Sequence, residues 1–209
     1  MSDKALIYVI DDDESLRSAL DSLLRSIGLQ TRVFGSVREF LDARPADTLG
    51  CIVLDVRLPG MSGLDLQTQL ADLHIHLPVI LMTGHGDIPM SVRAMKAGAV
   101  DFLPKPFRDQ DMIDAVSTAI ERDSRRRAAD DEVTHLRERF ATLSPREQEV
   151  MTLVTAGKMN KQVAGVLGLS VITVKIHRGS AMRKMGARSL ADLVRMSEAL
   201  KLKAPRPLR

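Results

Sequence analysis

Residues 51 to 63 read CIVLDVRLPGMSG, and within them Cys51 to Asp55 form a short apolar run closed by a carboxylate. An uninterrupted run of this length fits a strand buried on both faces, whereas a half-exposed strand would alternate with polar residues. Comparable runs lie on either side: ALIYVI at 5 to 10, TRVF at 31 to 34, LPVILMT at 77 to 83 and AVDFLPK at 99 to 105. Between them apolar residues repeat at helical spacing: Leu16, Leu20, Leu23 and Leu24, then Val37, Phe40 and Leu41, then Leu64, Leu66 and Leu70. Val92 and Met95 continue the pattern, and Met112, Ile113, Val116 and Ile120 close it. Five strand-and-helix units predict a doubly wound α/β domain, an open parallel sheet with helices on both faces. Such sheets take their ligands beyond the carboxyl ends of the strands.

At those ends stand Asp11, Asp12 and Asp13 after the first strand, Asp55 after the third, Thr83 after the fourth and Lys105 after the fifth. Crowded carboxylates repel one another unless a hard divalent cation neutralises them through oxygen ligands. The pattern therefore implies Mg²⁺, held by Asp11, Asp12, Asp55 and the backbone carbonyl of Arg57. Asp55 can then act as a nucleophile toward a phosphoryl group, with Lys105 and Thr83 stabilising its oxygens. Taken singly, these features have plainer explanations: Asp-Asp and Thr-Gly serve turns and caps, and Phe102 suits a core. Asp13 is expected to cap the first helix, without a metal role. Four strand ends carrying the right groups together argue for the site. His74, His76 and His85 lack ligand spacing and are expected to be solvated or structural.

Two enzyme classes on similar sheets fail on particular residues. A phosphatase of the haloacid-dehalogenase type needs a second Asp two positions after its nucleophile, and that position holds Arg57. A dinucleotide-binding enzyme needs a glycine-rich turn after the first strand, where Asp-Asp-Asp-Glu would repel phosphate. Neither of these two enzyme readings is therefore expected.

IDDDE, LDVRLPGMSG, MTG and FLPKPF together resemble the receiver domain of two-component response regulators, a flavodoxin-like fold, over about 120 residues. MTGHGDIPM and the Gly98-Ala99 pair look like its FixJ branch. The resemblance implies Asp55 as phospho-acceptor, Asp11 and Asp12 as the acidic metal pair, and Lys105 as the phosphate-contacting lysine. It further implies Thr83 and Phe102 as hydroxyl and aromatic switch positions, and a cis Lys105-Pro106 peptide.

Charge divides the chain of 209 residues. Residues 1 to 120 carry 11 Lys/Arg against 17 Asp/Glu, a net of −6, residues 121 to 140 carry 6 of each, and residues 141 to 209 carry 13 against 4, a net of +9. The acidic part would be repelled by DNA and the basic part carries the field of a polyanion binder. No apolar run approaches the roughly 18 residues that span a bilayer, and MSDKALIYVIDDDE lacks a signal peptide's basic start and cleavage site. A cytoplasmic location without membrane contact is expected. Cys51, the single cysteine, is expected to fill core space rather than react.

From Asp111 a helical pattern runs through ERDSRRRAADDEVTHLRERFATL without Gly or Pro until Pro145. Large apolar residues are scarce from Glu121 to Glu132, and Val133, Leu136, Phe140 and Leu143 form a short returning stripe. Two readings stay open for residues 123 to 140, a solvated charged linker or a helix that pairs with a second subunit.

The remainder, from 141 to 209, predicts a small all-α domain of four helices. Ser144-Pro145 with Glu147 is a capping box, and that helix ends at Gly157. Asn160 opens the second helix, and Gly168-Leu169-Ser170 turns into a third from Val171 to about Met185, which makes a helix-turn-helix. A fourth runs from Ser189 to about Leu200. On the third helix Ile172, Val174, Ile176, Met182 and Met185 are expected to supply apolar contacts. Lys175, Ile176 and Gly179 are expected on the side of the helix that faces the DNA groove, with Thr173, Arg178, Arg183 and Lys184 nearer phosphates and His177 as a further donor.

LSPREQEV, NKQVAGVLGLS, TVKIH and MRKMGARS resemble the LuxR-type helix-turn-helix of NarL/FixJ regulators over some 60 residues. Gly179 departs from relatives that carry a base-reaching side chain there, and a mid-helix glycine costs about 0.5 to 1 kcal/mol relative to Ala. The combined resemblance implies a sensor histidine kinase as phosphodonor, a homodimer on phosphorylation, double-stranded promoter DNA as target and RNA polymerase as a further partner.

Overall fold

Strand pairing turns the apolar runs into a site. In the computed structural model, which describes residues 5 to 84 and 88 to 202, the strands β1 (Leu6–Ile10), β2 (Gln30–Phe34), β3 (Gly50–Asp55), β4 (Val79–Thr83) and β5 (Asp101–Pro104) form one parallel sheet in the order β2-β1-β3-β4-β5. Ile10 lies opposite Leu54, which brings Asp11 beside Asp55, and Thr83 lies opposite Pro104, which delivers Lys105 to the same edge. His85 falls outside the described residues.

The helices α1 (Glu14–Ser26), α2 (Val37–Asp42), α3 (Gly63–Gln69), α4 (Ile88–Lys96) and α5 (Asp109–Ala141) follow the strands in turn. Alternate residues of β1 feed opposite cores: Tyr8 and Ile10 join Phe40, Leu54, Leu66 and Leu81, whereas Ile7 and Val9 join Cys51, Val53, Leu20, Met112 and Val116. Both faces are covered, hence the continuous apolar runs, and burying each such side chain contributes roughly 1.5 to 3 kcal/mol. Edge strand β2 departs from this expectation: Arg32 and Val33 are exposed. The stripe expected from Val92 and Met95 is also corrected. Both side chains are exposed, and Ala94 and Met90 make the inward contacts of α4. Gly63 opens α3 so close to the sheet that a Cβ would fall 2.2 Å from the carbonyl oxygen of Asp55.

Helix α5 is continuous for 33 residues, and the division into two compact units falls within it, between Arg127 and Ala128. The second unit contains α6 (Pro145–Thr155), α7 (Asn160–Leu167), α8 (Val171–Met185) and α9 (Leu190–Ala199). Leu136 and Leu143 pack with Met151, Ala181, Met185 and Leu193, and Val150, Leu153 and Val154 pack with Val163 and Val174. The capping box at Ser144 and Glu147 is formed. Gly168 ends α7 in the left-handed region at φ +66°, and Ser170 caps α8 by accepting from the amide of Thr173. Among the described residues no helix is long and apolar enough to cross a membrane.

Candidate functional site

At the carboxyl edge of the sheet Asp11 and Asp55 are buried and Asp12 is exposed. One carboxylate oxygen from each of the three lies within 4.8 Å of the others. The ammonium of Lys105 sits between the buried pair, 2.6 Å from Asp11 Oδ2 and 3.0 Å from Asp55 Oδ1. Asp11 Oδ1 accepts from the amide of Asp13, and Asp55 Oδ2 accepts from the amide of Arg57 at 3.2 Å. Asp13 turns away from the cluster to cap α1, accepting from the amides of Ser15 and Leu16.

Burial pushes the Asp55 carboxyl above its ordinary range, and the hydrogen bond from Lys105 works against that rise. Lys105 is itself held above its usual value: bonds to Asp11 and Asp55 outweigh the desolvation that would lower it. Three hard oxygen donors with one central cation make a cluster able to take a divalent ion and an incoming anionic group. Thr83 is fully buried at the end of β4, with its carbonyl accepting from the amide of Lys105. Phe102 is half-buried against the core that contains Ala94 and Leu81. The Lys105-Pro106 peptide is cis.

Helix α8 sorts its side chains by face. Val174, Ala181 and Met185 are buried, whereas Ile172, Lys175, Ile176, Gly179 and Arg183 are exposed. The apolar contact expected of Ile172 is therefore corrected, since it points outward and Val174 carries the packing, while Ile176 lies exposed on the side expected to face DNA. Thr173, His177 and Arg178 are half-buried, and Arg178 reaches Asn160 Oδ1 at 3.4 Å. Lys184 is tied down within its own domain, donating to Glu147 Oε2 at 2.7 Å and to the carbonyl of Thr142 at 3.2 Å. That hydrogen bond, with one from Ser180 and the amide of Ser144, holds the Glu147 carboxyl down at about 2.

One cluster lay beyond the sequence reading. Asp123, in the charged run, is fully buried, accepting from Arg126 and Arg127 and from the amide of Gly50. Arg127 reaches further to Asp47 and the carbonyl of Thr48. The only signal in the sequence is the Asp-Arg spacing of three and four residues, which usually marks a solvated helix face.

An acidic cleft bridged by a lysine on one unit and a cationic helix after a tight turn on the other point to a class, the regulators that join a receiver to a DNA-binding domain. The response regulator receiver family matches residues 7–117, and the bacterial regulatory proteins of the luxR family match residues 141–197. The chain belongs to the two-component response regulators, in the NarL/FixJ branch that joins these two domains. It is 62% identical to nodulation protein W of Bradyrhizobium diazoefficiens over 97% of this chain and 89% of that one. It is 41% identical to the transcriptional regulatory protein FixJ of the same organism, over 94% and 96% of the two chains. Among solved structures it resembles the response regulator StyR, with 47% identity, a TM-score of 0.78, and 93% and 98% of the two chains covered.

Proposed function

We propose that this response regulator accepts a phosphoryl group on Asp55 from a sensor histidine kinase and, so modified, pairs into a homodimer that binds promoter DNA and engages RNA polymerase. The observation that carries the reading is the lysine bridge between Asp11 and Asp55, a buried carboxylate pair already organised around positive charge. In the transfer an Asp55 oxygen bonds to phosphorus while the phosphorus–nitrogen bond of the kinase phosphohistidine breaks. The imidazole nitrogen leaves with the electron pair. The all-oxygen donor set of Asp11, Asp12, Asp55 and the carbonyl of Arg57 fits Mg²⁺, which when bound supplies positive charge against the phosphoryl oxygens.

Lys105 then exchanges its contact with Asp55 for one with a phosphoryl oxygen, and the Thr83 hydroxyl donates to another. Phe102, half-buried beside α4, follows Thr83 inward, which changes the surface formed by α4 and β5. On this reading residues 1 to 122 act as receiver, 123 to 140 as joint and 141 to 209 as DNA-binding domain. Thr173, Lys175, Ile176, His177, Arg178, Gly179 and Arg183 form the DNA face, with Lys184 bracing α8 against α6 through Glu147. The cytoplasm is the compartment in which kinase and promoter meet.

The test is DNA binding by wild type and Asp55→Asn, each with Mg²⁺ and acetyl phosphate, across a salt series. Tighter binding of wild type alone supports the proposal. Equal binding in all conditions means that phosphate does not control DNA affinity and that the receiver acts through protein contacts.

A further inference from the structure

Resting on the DNA-binding reading of α8, we infer that Ile172 and Ile176 read thymine methyl groups in the major groove and that Gly179 lets the helix seat closely enough to do so. Ile172, Lys175, Ile176 and Gly179 recur at i, i+3, i+4 and i+7, which places them on one stripe of α8. The stripe lies away from the buried Val174, Ala181 and Met185.

Ile172 is 72% exposed and Ile176 65% exposed, although every other isoleucine whose burial is described is better covered. Two β-branched apolar side chains one turn apart in water add nothing to the domain core. Their surroundings fix the kind of partner. Lys175 lies between them in the chain, Arg183 continues the exposed face, and residues 141 to 209 carry a net charge of +9. An apolar protein partner would leave those cations unmatched; a duplex satisfies both, because its backbone is anionic and its major groove has one apolar feature, the thymine C5 methyl.

Gly179 points the same way by a separate route. Its backbone is helical, so no positive φ requires glycine, and a Cβ there would meet no atom within 4 Å. Nothing inside the domain calls for a residue that weakens the helix. A helix with side chains is roughly 10–12 Å across, close to the groove's roughly 12 Å width, so a bare patch in the middle of the stripe permits nearer approach. Residues four apart rise roughly 6 Å along the helix, against roughly 3.4 Å per base pair. The two methyls are therefore expected about two base pairs apart in each half-site.

The experiment uses the full-length protein treated with Mg²⁺ and acetyl phosphate, and duplexes recovered by it from a random pool. Thymines in the recovered site are replaced one at a time by deoxyuridine, which removes only the methyl. At two positions per half-site, wild type is expected to lose affinity about fourfold, the factor for one buried carbon. Ile172→Ala is expected to be insensitive at one of those positions and Ile176→Ala at the other. Gly179→Ala is expected to unfold at a higher temperature than wild type yet to bind the recovered duplex less tightly. Uracil without effect on wild type, or an equal loss in wild type and both alanine variants, overturns the inference while leaving DNA binding intact. A pool from which wild type recovers no preferred duplex overturns the DNA-binding reading itself.

Discussion

The ammonium of Lys105 lies 3.0 Å from Asp55 and simultaneously 2.6 Å from Asp11, so one cation serves two buried carboxylates from different strands. Removing it leaves like charges facing each other in a poorly solvated cleft. Because Lys105 is itself partly exposed, the loss is expected just below the range of about 3–5 kcal/mol for breaking a fully buried pair, at about 2–3 kcal/mol. Lys105→Met is therefore expected to lower the unfolding free energy by that amount in chelator, and Mg²⁺ is expected to recover most of it. Urea unfolding with and without Mg²⁺ measures both. An identical loss in the two conditions would show that the lysine stem, not its charge, does the work.

Asp55 behaves in the opposite sense. Burial raises its folded pKa above the unfolded value, so the neutral carboxyl is the form the fold prefers. Its contribution is fully present below the unfolded pKa and is lost as pH rises through the folded one. Without metal at neutral pH, Asp55→Asn is expected to melt above wild type, with the gap narrowing as the pH is lowered toward the carboxyl range. Thermal scans from pH 7 to pH 4 in chelator check this. A wild type that melts above Asp55→Asn throughout contradicts it.

Both expectations rest on a site that the chain only partly discloses in its sequence. Strand ends are legible because a run such as CIVLD must stop where the sheet stops, so Asp55 and Lys105 declare their place before any coordinates exist. Pairing is what remains hidden. That Lys105 binds Asp11 as closely as Asp55 depends on β3 lying between β1 and β4, an order that no local pattern encodes. The misread residues share one physical cause. Val92, Met95 and Ile172 are apolar at helical spacing, and spacing alone does not say which side of the helix meets the core. Asp123 failed in the other direction, since a charge inside ERDSRRR reads as solvated until Gly50 and Arg127 close around it.

That buried carboxylate carries its own consequence. Asp123 accepts from two guanidinium groups and the amide of Gly50, and its removal takes the buried carboxylate away from the Gly50 amide and from both arginines at once. Asp123→Ala is expected to destabilise the receiver by about 3 kcal/mol, whereas Arg125→Ala, whose partner Glu121 is exposed, should cost under about 1 kcal/mol. Tyr8 is the chain's single tyrosine, there is no tryptophan, and Tyr8 is fully buried in the receiver core. Its fluorescence during denaturant unfolding therefore follows this unit selectively. Equal effects of the two variants would place Asp123 among ordinary surface charges.

Glu147 provides a pH-dependent counterpart in the second unit. Its carboxyl is held at about 2, first by the hydrogen bond from Lys184 and then by those from Ser180 and the Ser144 amide. A depressed pKa contributes stability that is present above the unfolded value, near 4.5, and is lost as pH falls toward about 2. Glu147→Gln retains an oxygen for the Ser144 amide, so it isolates the charge from the capping box. With Lys184 partly exposed, the variant is expected to cost on the order of 1 kcal/mol at pH 7. Between pH 4.5 and pH 2 the difference from wild type is expected to shrink to a small remainder, because the wild-type carboxyl then progressively loses the same charge. Helix unfolding followed by circular dichroism at 222 nm across that range decides it: a difference that stays undiminished down to pH 2 would mean that the glutamate acts through shape rather than charge. A difference that closes would identify the Lys184 contact as the brace holding the DNA-facing helix in place.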